Sequence, residues 1–345
     1  MDYERYQRHF PIIGIEGQQK LLNAKICIVG CGGLGAPVAL YLAAAGIGKI
    51  GLVDADIVDL SNLQRQIIYK ESDINKPKVE CAQEALQTLN STIAIQAYPV
   101  RLNADNIHTI IKDYDLIIDG SDNFETKYLV NDICCQLGIP FISASILKHC
   151  GQLLISNAKT GCYRCIYPEK TPDDLVPNCA QAGVMGYLVG IIGTMIANLA
   201  SNYFLSREKI EFNTLMVYDS NIMSFKKYKF HQNKSCLACI EHQHPKYESS
   251  PIPDYNINPK DLSAFKIVDI REHWERKISP LSYEHIHILL NDIKYLSNPI
   301  STSKPILFVC KSGIRSNKAA HQYHKLFPEL KGFSLKGGLR SRSAV

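Results

Sequence analysis

The feature that most restricts this chain is Gly30-Cys31-Gly32-Gly33-Leu34-Gly35, a glycine run set between two apolar segments. Before it, Lys25-Ile26-Cys27-Ile28-Val29-Gly30 reads as a short buried parallel strand. After it, Leu34 to Ala45 reads as a helix that Gly46 stops as a C-cap. Glycines at such a junction let backbone amides close on a phosphate, and the helix N-terminus adds a positive dipole end. Asp54 ends the next strand candidate, Ile50 to Asp54, where an acid can accept a bond from a ribose hydroxyl. Taken alone, the pattern would suit a nicotinamide-dependent oxidoreductase.

Further strand candidates are Ile93 to Tyr98, Asp115 to Asp119, Pro140 to Ser145, Gly151 to Ser156 and Leu215 to Asp219. Helical patterns at Pro77 to Leu89, Ala104 to Lys112 and Phe124 to Leu137 separate several of them, which argues for an α/β doubly wound sheet. Prolines at 245, 251, 253 and 259 mark a composition break, read as a linker over 246–260. It divides residues 1–245 from a smaller α/β domain at 261–345, with strands Phe265 to Asp269 and Pro305 to Val309 and a helix Asn317 to Leu326.

Composition narrows the partners. With 46% hydrophobic and 21% charged residues, disorder and fibrous repeats are excluded. A formal charge of +5 is too weak to argue for nucleic acid. The chain opens on charged Met1-Asp2-Tyr3-Glu4-Arg5, unlike a secretory signal. No charge appears between Leu175 and Ser206, yet Asn178, Gln181, Asn198 and Asn202 interrupt that stretch. It reads as a buried helix at a core or subunit interface, with no membrane span. Twelve cysteines without a signal point to a reducing, cytoplasmic setting in which thiols serve metals or chemistry.

The residues after Asp54 do not suit a dehydrogenase. Asp54-Ala55-Asp56 is followed by Ser61-Asn62-Leu63-Gln64-Arg65-Gln66 and then by Pro77-Lys78. Two cations, Arg65 and Lys78, near the same strand ends suit a triphosphate attacked at its α-phosphorus. Asp119-Gly120-Ser121-Asp122-Asn123 ends another strand, where an acid can hold Mg²⁺. The pairs Cys162/Cys165 and Cys236/Cys239 can place four thiolates around one structural Zn²⁺. Cys310-Lys311-Ser312-Gly313-Ile314-Arg315-Ser316 joins a strand to a helix, a loop whose inward amides would stabilise a cysteine persulfide. Cys179 stands alone after a proline, before the apolar helix. Cys27, Cys31, Cys81, Cys134, Cys135 and Cys150 lie in apolar or helical contexts and are expected to be packed.

Together these stretches resemble the ubiquitin-activating-enzyme-like (E1-like) superfamily, in particular the adenylyltransferases of molybdopterin and thiamine biosynthesis and their relatives with a rhodanese tail. Arg5-Tyr6-Gln7-Arg8-His9, Glu16-Gly17-Gln18, Pro77-Lys78-Val79-Glu80, Cys162-Tyr163-Arg164-Cys165 and Ala182-Gly183-Val184 extend the match through residue 240 or so. The resemblance implies a Rossmann-like domain with a mixed sheet that uses ATP and Mg²⁺. Such a domain adenylates the C-terminal glycine of a ubiquitin-like sulfur carrier protein ending in Gly-Gly. By motif, the nucleotide set is Gly30, Gly32, Gly33, Gly35, Asp54, Asp56, Ser61 to Gln66, Lys78, Asp122 and Asn123. Within it, Asp54 would hold the ribose, Asn62, Arg65 and Lys78 the phosphates, and Asp122 the magnesium. Arg8 matches an arginine donated by a partner subunit, which implies a homodimer.

The resemblance also implies that Cys179 attacks the acyl-adenylate or joins a disulfide with the carrier. Val268 to Glu272 and Gly337-Gly338-Leu339 around Cys310 resemble a rhodanese domain, with Cys310 carrying a persulfide sulfur supplied by a persulfide or thiosulfate donor and Arg315 supporting it. A non-catalytic E1-like scaffold that only docks a ubiquitin-like partner is the other reading. Molybdopterin, thiamine, tRNA-thiolation and cysteine-biosynthesis carriers all stay open.

Overall fold

The computed structural model describes residues 3–169, 183–241 and 253–341. They fall into two compact units, Met1–Tyr247 and Glu248–Val345.

The first unit is built on an eight-stranded sheet. In chain order its strands are β1 (Lys25–Val29), β2 (Lys49–Val53), β3 (Ala94–Tyr98), β4 (Leu116–Asp119), β5 (Phe141–Leu147), β6 (Cys150–Ser156), β7 (Thr214–Asp219) and β8 (Ser224–Lys229). In space they run β3-β2-β1-β4-β5-β6-β7-β8. The first five are parallel, and β6 to β8 are added antiparallel, so the sheet is mixed. Strand order reverses between β1 and β4, which opens a crevice beyond their carboxyl ends.

Both faces are covered, which is why β1 reads as a continuous apolar run. Ile26 and Ile28 point into one core with the helices Gly35–Ala45, Lys78–Leu89 and Gly186–Leu205. Cys27 and Val29 point into the other, with Ile107–Ile111 and Phe124–Leu137. Gly186–Leu205 is long and apolar enough to cross a membrane, but here it packs as a core helix. A Cβ at Gly193 would meet Pro37 at 2.3 Å, and one at Gly151 of β6 would meet Ile192 at 2.4 Å.

Differences from the sequence reading have local causes. The helix expected over Ala104 to Lys112 is only Ile107–Ile111, because Asn103 and Asn106 spend their side chains on an Asx turn before it. Strand β8 was not anticipated, since Lys226, Lys227 and Lys229 obscure its alternation at an exposed edge. The helix Phe10–Asn23 was likewise missed, being interrupted by Gly14 at φ 67°. Of the cysteines expected to be packed, Cys150 is exposed, because it opens β6 at a surface turn.

The second unit is a five-stranded parallel sheet. Its strands are β9 (Asn256–Ile257), β10 (Lys266–Asp269), β11 (His285–His287), β12 (Ile306–Val309) and β13 (Gly332–Leu335), in the order β11-β10-β12-β13-β9. Helices His273–Ile278 and Ile314–Leu326 join them. Strand β9 corrects the linker reading of 246–260. Asn256 and Ile257 pair with Ser334 and Leu335, and the Tyr255 amide donates to Asn317, so this stretch is part of the second unit. Its prolines had masked a two-residue edge strand.

Beneath the carboxyl end of β4 lies a buried ion pair. Lys127 Nζ donates to Asp119 Oδ2 at 3.0 Å and to the Ala144 carbonyl at 2.7 Å, while Ser143 and Ser121 also donate to Asp119. Both charged groups are almost fully buried, so neither can do without the other. Lys127→Met should therefore cost about 3–5 kcal/mol of stability, the usual penalty for orphaning a buried charge. Urea denaturation checks this, and a loss below about 1 kcal/mol would show that Asp119 does not depend on Lys127.

Candidate nucleotide site, cysteine cluster and sulfur loop

Register brings three loops together. Val29 pairs with Val53 on one side and with Asp119 on the other, so residues 30, 54 and 120 leave the sheet side by side. Gly30 has φ +90°, and a Cβ there would stand 3.2 Å from Gly120 and from the Ser121 amide. A Cβ at Gly35 would lie 2.0 Å from the Gly30 carbonyl oxygen, closer than any side chain permits. These glycines are therefore what lets the loop fold back onto the helix start.

Asp54 fastens this loop from the neighbouring strand. Its carboxylate accepts the Cys31 amide at 2.8 Å and the Asp56 amide at 2.8 Å. Burial raises its pKa, and Lys78 and the two amides oppose that shift. Tyr69 Oη donates to the Cys31 carbonyl, closing the other edge. Burial also pushes the Cys31 thiol well up, so it packs as a neutral group.

Residues Ser61 to Gln66 lie against the glycine loop. A Cβ at Gly33 would be 3.7 Å from Arg65 Cδ, and one at Gly32 would be 3.7 Å from Gln66 Nε2. Arg65 donates to the Ser61 carbonyl. Asn62 uses Oδ1 to accept the Asp59 amide, which leaves its Nδ2 as the group it can offer a ligand. Gln66 is buried, and its Oε1 has no partner. Gln64 meets the start of the helix Gly186–Leu205, where only glycine fits against its carbonyl. Lys78 is buried with its ammonium 2.9 Å from the exposed Asp56. Asp122 is exposed beside Asn123, which caps the helix Phe124–Leu137 by accepting the Thr126 amide.

The structure thus gathers Gly30, Gly32, Gly33, Gly35, Asp54, Asp56, Ser61 to Gln66, Lys78, Asp122 and Asn123 at the carboxyl ends of β1, β2 and β4. A cradle of backbone amides that a Cβ would fill suits a phosphate-bearing ligand, and the orphaned Gln66 amide oxygen suits a hydroxyl or amine donor on it. Arg8 is exposed in the turn before the helix Phe10–Asn23. Cys179 lies outside the described residues.

The two cysteine pairs meet. Their sulfurs all lie within 4.8 Å of one another, with Cys162–Cys236 at 3.5 Å, Cys165–Cys239 at 3.6 Å and Cys162–Cys165 at 3.9 Å. Four sulfurs about 2.3 Å from one tetrahedral zinc would be about 3.8 Å apart, so the set fits that ion. Zinc there would supply the positive charge that lets crowded, buried thiols ionise. Without it, burial pushes Cys239 up to about 12. The Asn233 amide and Gln232 donate to Cys165 and Cys239 from outside the cluster.

A clamp that sequence reasoning missed holds the first pair. Arg164, between Cys162 and Cys165, makes a two-pronged bond to buried Asp132 at 2.7 and 2.9 Å and stacks on Tyr128. A charged residue inside a metal knuckle was the available signal. Cys236→Ser should remove zinc and lower the melting temperature, because the metal joins segments 74 residues apart in sequence. Elemental analysis and calorimetry check this, and metal-free wild-type protein prepared without chelators would end the assignment.

In the second unit, Cys310 is fully buried at the end of β12. Its sulfur accepts the Gly313 amide at 3.2 Å and the Ser316 amide at 3.3 Å. Gly338 crosses over the loop, and a Cβ there would stand 2.5 Å from the Cys310 carbonyl. Arg315, expected to support the sulfur electrostatically, is held by Glu275 in a two-pronged bond at 2.7 and 2.6 Å that satisfies its fork geometry, and Glu275 first and Cys310 with it raise its pKa. The loop amides and the Ser316 hydroxyl make the hydrogen-bond contacts to the sulfur.

Comparison with known proteins agrees with this arrangement. Residues 3–238 match the ThiF family. The sulfur carrier protein adenylyltransferase of Thermus thermophilus is 41% identical over 246 residues, 69% of this chain and 91% of that protein. The adenylyltransferase and sulfurtransferase MOCS3 of Culex quinquefasciatus is 35% identical over 89% of this chain and 73% of its own. A probable adenylyltransferase/sulfurtransferase, MoeZ of Mycobacterium tuberculosis, is 32% identical over 97% and 91%. Among solved structures, Escherichia coli MccB with AMPCPP and MccA superposes with a TM-score of 0.62 at 24% identity, over 69% of this chain and 74% of that one, a likeness of fold. The glycine cradle, the converging strand ends and three of the four clustered cysteines lie within the matched span, with Cys239 one residue beyond it, and this chain belongs to the ThiF family of E1-like adenylyltransferases.

Proposed function

We propose that this protein adenylates the C-terminal glycine carboxylate of a ubiquitin-like sulfur carrier with ATP and Mg²⁺, then delivers sulfur to it from Cys310. The observation that carries the first half is the convergence of the glycine cradle, Arg65, Lys78 and Asp122 at the carboxyl ends of β1, β2 and β4. A free carboxylate is a poor electrophile, and adenylation converts it to a mixed anhydride. The carrier's carboxylate oxygen attacks the α-phosphorus, the bridging P–O bond breaks, and pyrophosphate leaves with the electron pair. Loop amides and the two cations meet the charge that gathers on the phosphate oxygens. Asp122 would hold Mg²⁺, Asp54 the ribose, and Arg8 would reach the site from a partner subunit in a homodimer.

The second half rests on the amide-lined sulfur of Cys310 and on the relatives named as sulfurtransferases. In this reading residues 248–345 form a rhodanese-type unit. The Cys310 thiolate takes the sulfane sulfur of a donor such as thiosulfate, and sulfite leaves with the S–S electron pair. The terminal persulfide sulfur then attacks the acyl carbon and AMP departs. A second thiolate attacks the Cys310 sulfur of the acyl disulfide, which frees the thiocarboxylate and leaves Cys310 in a disulfide. A dithiol reductant then restores the thiol and is itself oxidised to a disulfide.

The two halves separate experimentally. Asp122→Ala should slow carrier-dependent ATP–pyrophosphate exchange by on the order of 10²–10³, the usual loss for one transition-state electrostatic contact. Cys310→Ala should leave that exchange at the wild-type rate and abolish thiosulfate:cyanide sulfur transfer. Unimpaired exchange in the first variant would remove Asp122 from the site. Unimpaired transfer in the second would move the persulfide elsewhere.

A further inference from the structure

We propose that Ser316, Ser334 and Asn256 form a hydrogen-bond relay that switches the proton order around the Cys310 sulfur, with Ser316 as its moving donor. The inference rests on reading Cys310 as the sulfur-bearing residue.

The geometry is continuous. Ser316 Oγ lies 3.3 Å from Cys310 Sγ and 2.8 Å from Ser334 Oγ. Ser334 Oγ lies 2.7 Å from Asn256 Oδ1, and Asn256 Nδ2 donates to Asp254 at 2.7 Å. Ser316 and Ser334 are fully buried, so no water competes for their protons. A buried chain of this kind persists only when its members are satisfied.

Its direction follows from which atoms can donate. The Asp254 carboxylate only accepts, which turns the Asn256 NH₂ toward it and the Asn256 oxygen toward Ser334. That oxygen only accepts, so Ser334 donates to it at 2.7 Å, closer than its 3.3 Å approach to the Gly313 carbonyl, and is left to accept from Ser316. With Cys310 a thiol, every proton runs outward: sulfur to Ser316, Ser316 to Ser334 at 2.8 Å or to the Gly313 carbonyl at 3.1 Å, and Ser334 to Asn256. With the sulfur anionic, Ser316 swings its hydroxyl onto the sulfur and joins the Gly313 and Ser316 amides as a third donor. Ser316 is a positioning residue, and β9 holds the far end of the relay.

Other charges near the sulfur are fixed by their own partners or lie outside the relay. Arg315 is held by Glu275, and Asp269 is held by Arg271 with Arg276 nearby. Lys311 is on the loop itself and Lys336 follows β13. None changes in the variants below.

The test is the pH profile of kcat/KM for thiosulfate in thiosulfate:cyanide transfer by the full chain, whose acid limb reports thiolate formation. Ser316→Ala should lower the rate about tenfold to a hundredfold, the size of one hydrogen bond to a charged group. Its acid limb should move up by about one pH unit or more, because the anion has lost a donor. Ser316→Thr, which keeps the hydroxyl, should restore the limb. Asn256→Ala should move the limb the other way, since a freed Ser334 can donate to Ser316 and drive its proton toward sulfur. A wild-type limb in Ser316→Ala, or lost rate with an unmoved limb, overturns the relay. If Ser316→Ala does not fold, Asn256→Ala decides alone, and an unchanged or raised limb overturns the proposal. Cys310→Ala run alongside separates the two claims: retained transfer there sinks the persulfide reading itself.

Discussion

The structure depends on one close approach. Between Gly30 and Gly35 the chain leaves β1, turns over and begins a helix, with no room for a single carbon atom at Gly35. That contact aims the free amides of the helix start into the crevice where strand order reverses. Substituting any side chain there would push the helix off the strand and spoil both the packing and the amide cradle. Fold and site are one constraint at this point.

The level ends of β1, β2 and β4 extend that constraint sideways. Asp54 reaches across to fix the Cys31 amide, and Gly120 presses on Gly30 from the other strand. Below them the Asp119–Lys127 pair anchors the loop that carries Asp122. The site is thus held by rigid strand termini, while Arg65, Asp56 and Asp122 stay accessible at its rim. In the second unit the same logic recurs on a smaller scale: a parallel strand delivers Cys310 into a tight loop whose amides face its sulfur.

Much of this was legible in the sequence because glycine, cysteine and apolar runs report local constraints directly. The spacing of Gly30 to Gly35, the two cysteine pairs and the strand-terminal acids needed only short-range reasoning. Long-range choices were not legible. Nothing local says that Arg315 pairs with Glu275, that Lys78 rests on Asp56, or that Arg164 clamps Asp132. Those pairings depend on which elements meet in space. Strand β9 was hidden for a similar reason, since two residues among prolines gain strand character only from the partner β13 supplies. Membership of the ThiF family then names the scaffold.

We propose that the cradle activates a carboxylate by transfer of AMP. The most direct measurement is intact-mass spectrometry of purified Gly-Gly-terminated ubiquitin-like carriers after incubation with this enzyme, ATP and Mg²⁺. The account predicts that at least one carrier gains the mass of an adenylyl group, with one pyrophosphate released per adenylate formed. With thiosulfate added, that species should give way to one in which a carboxyl oxygen is replaced by sulfur. Carriers that all keep their original mass while the enzyme releases no pyrophosphate would contradict it.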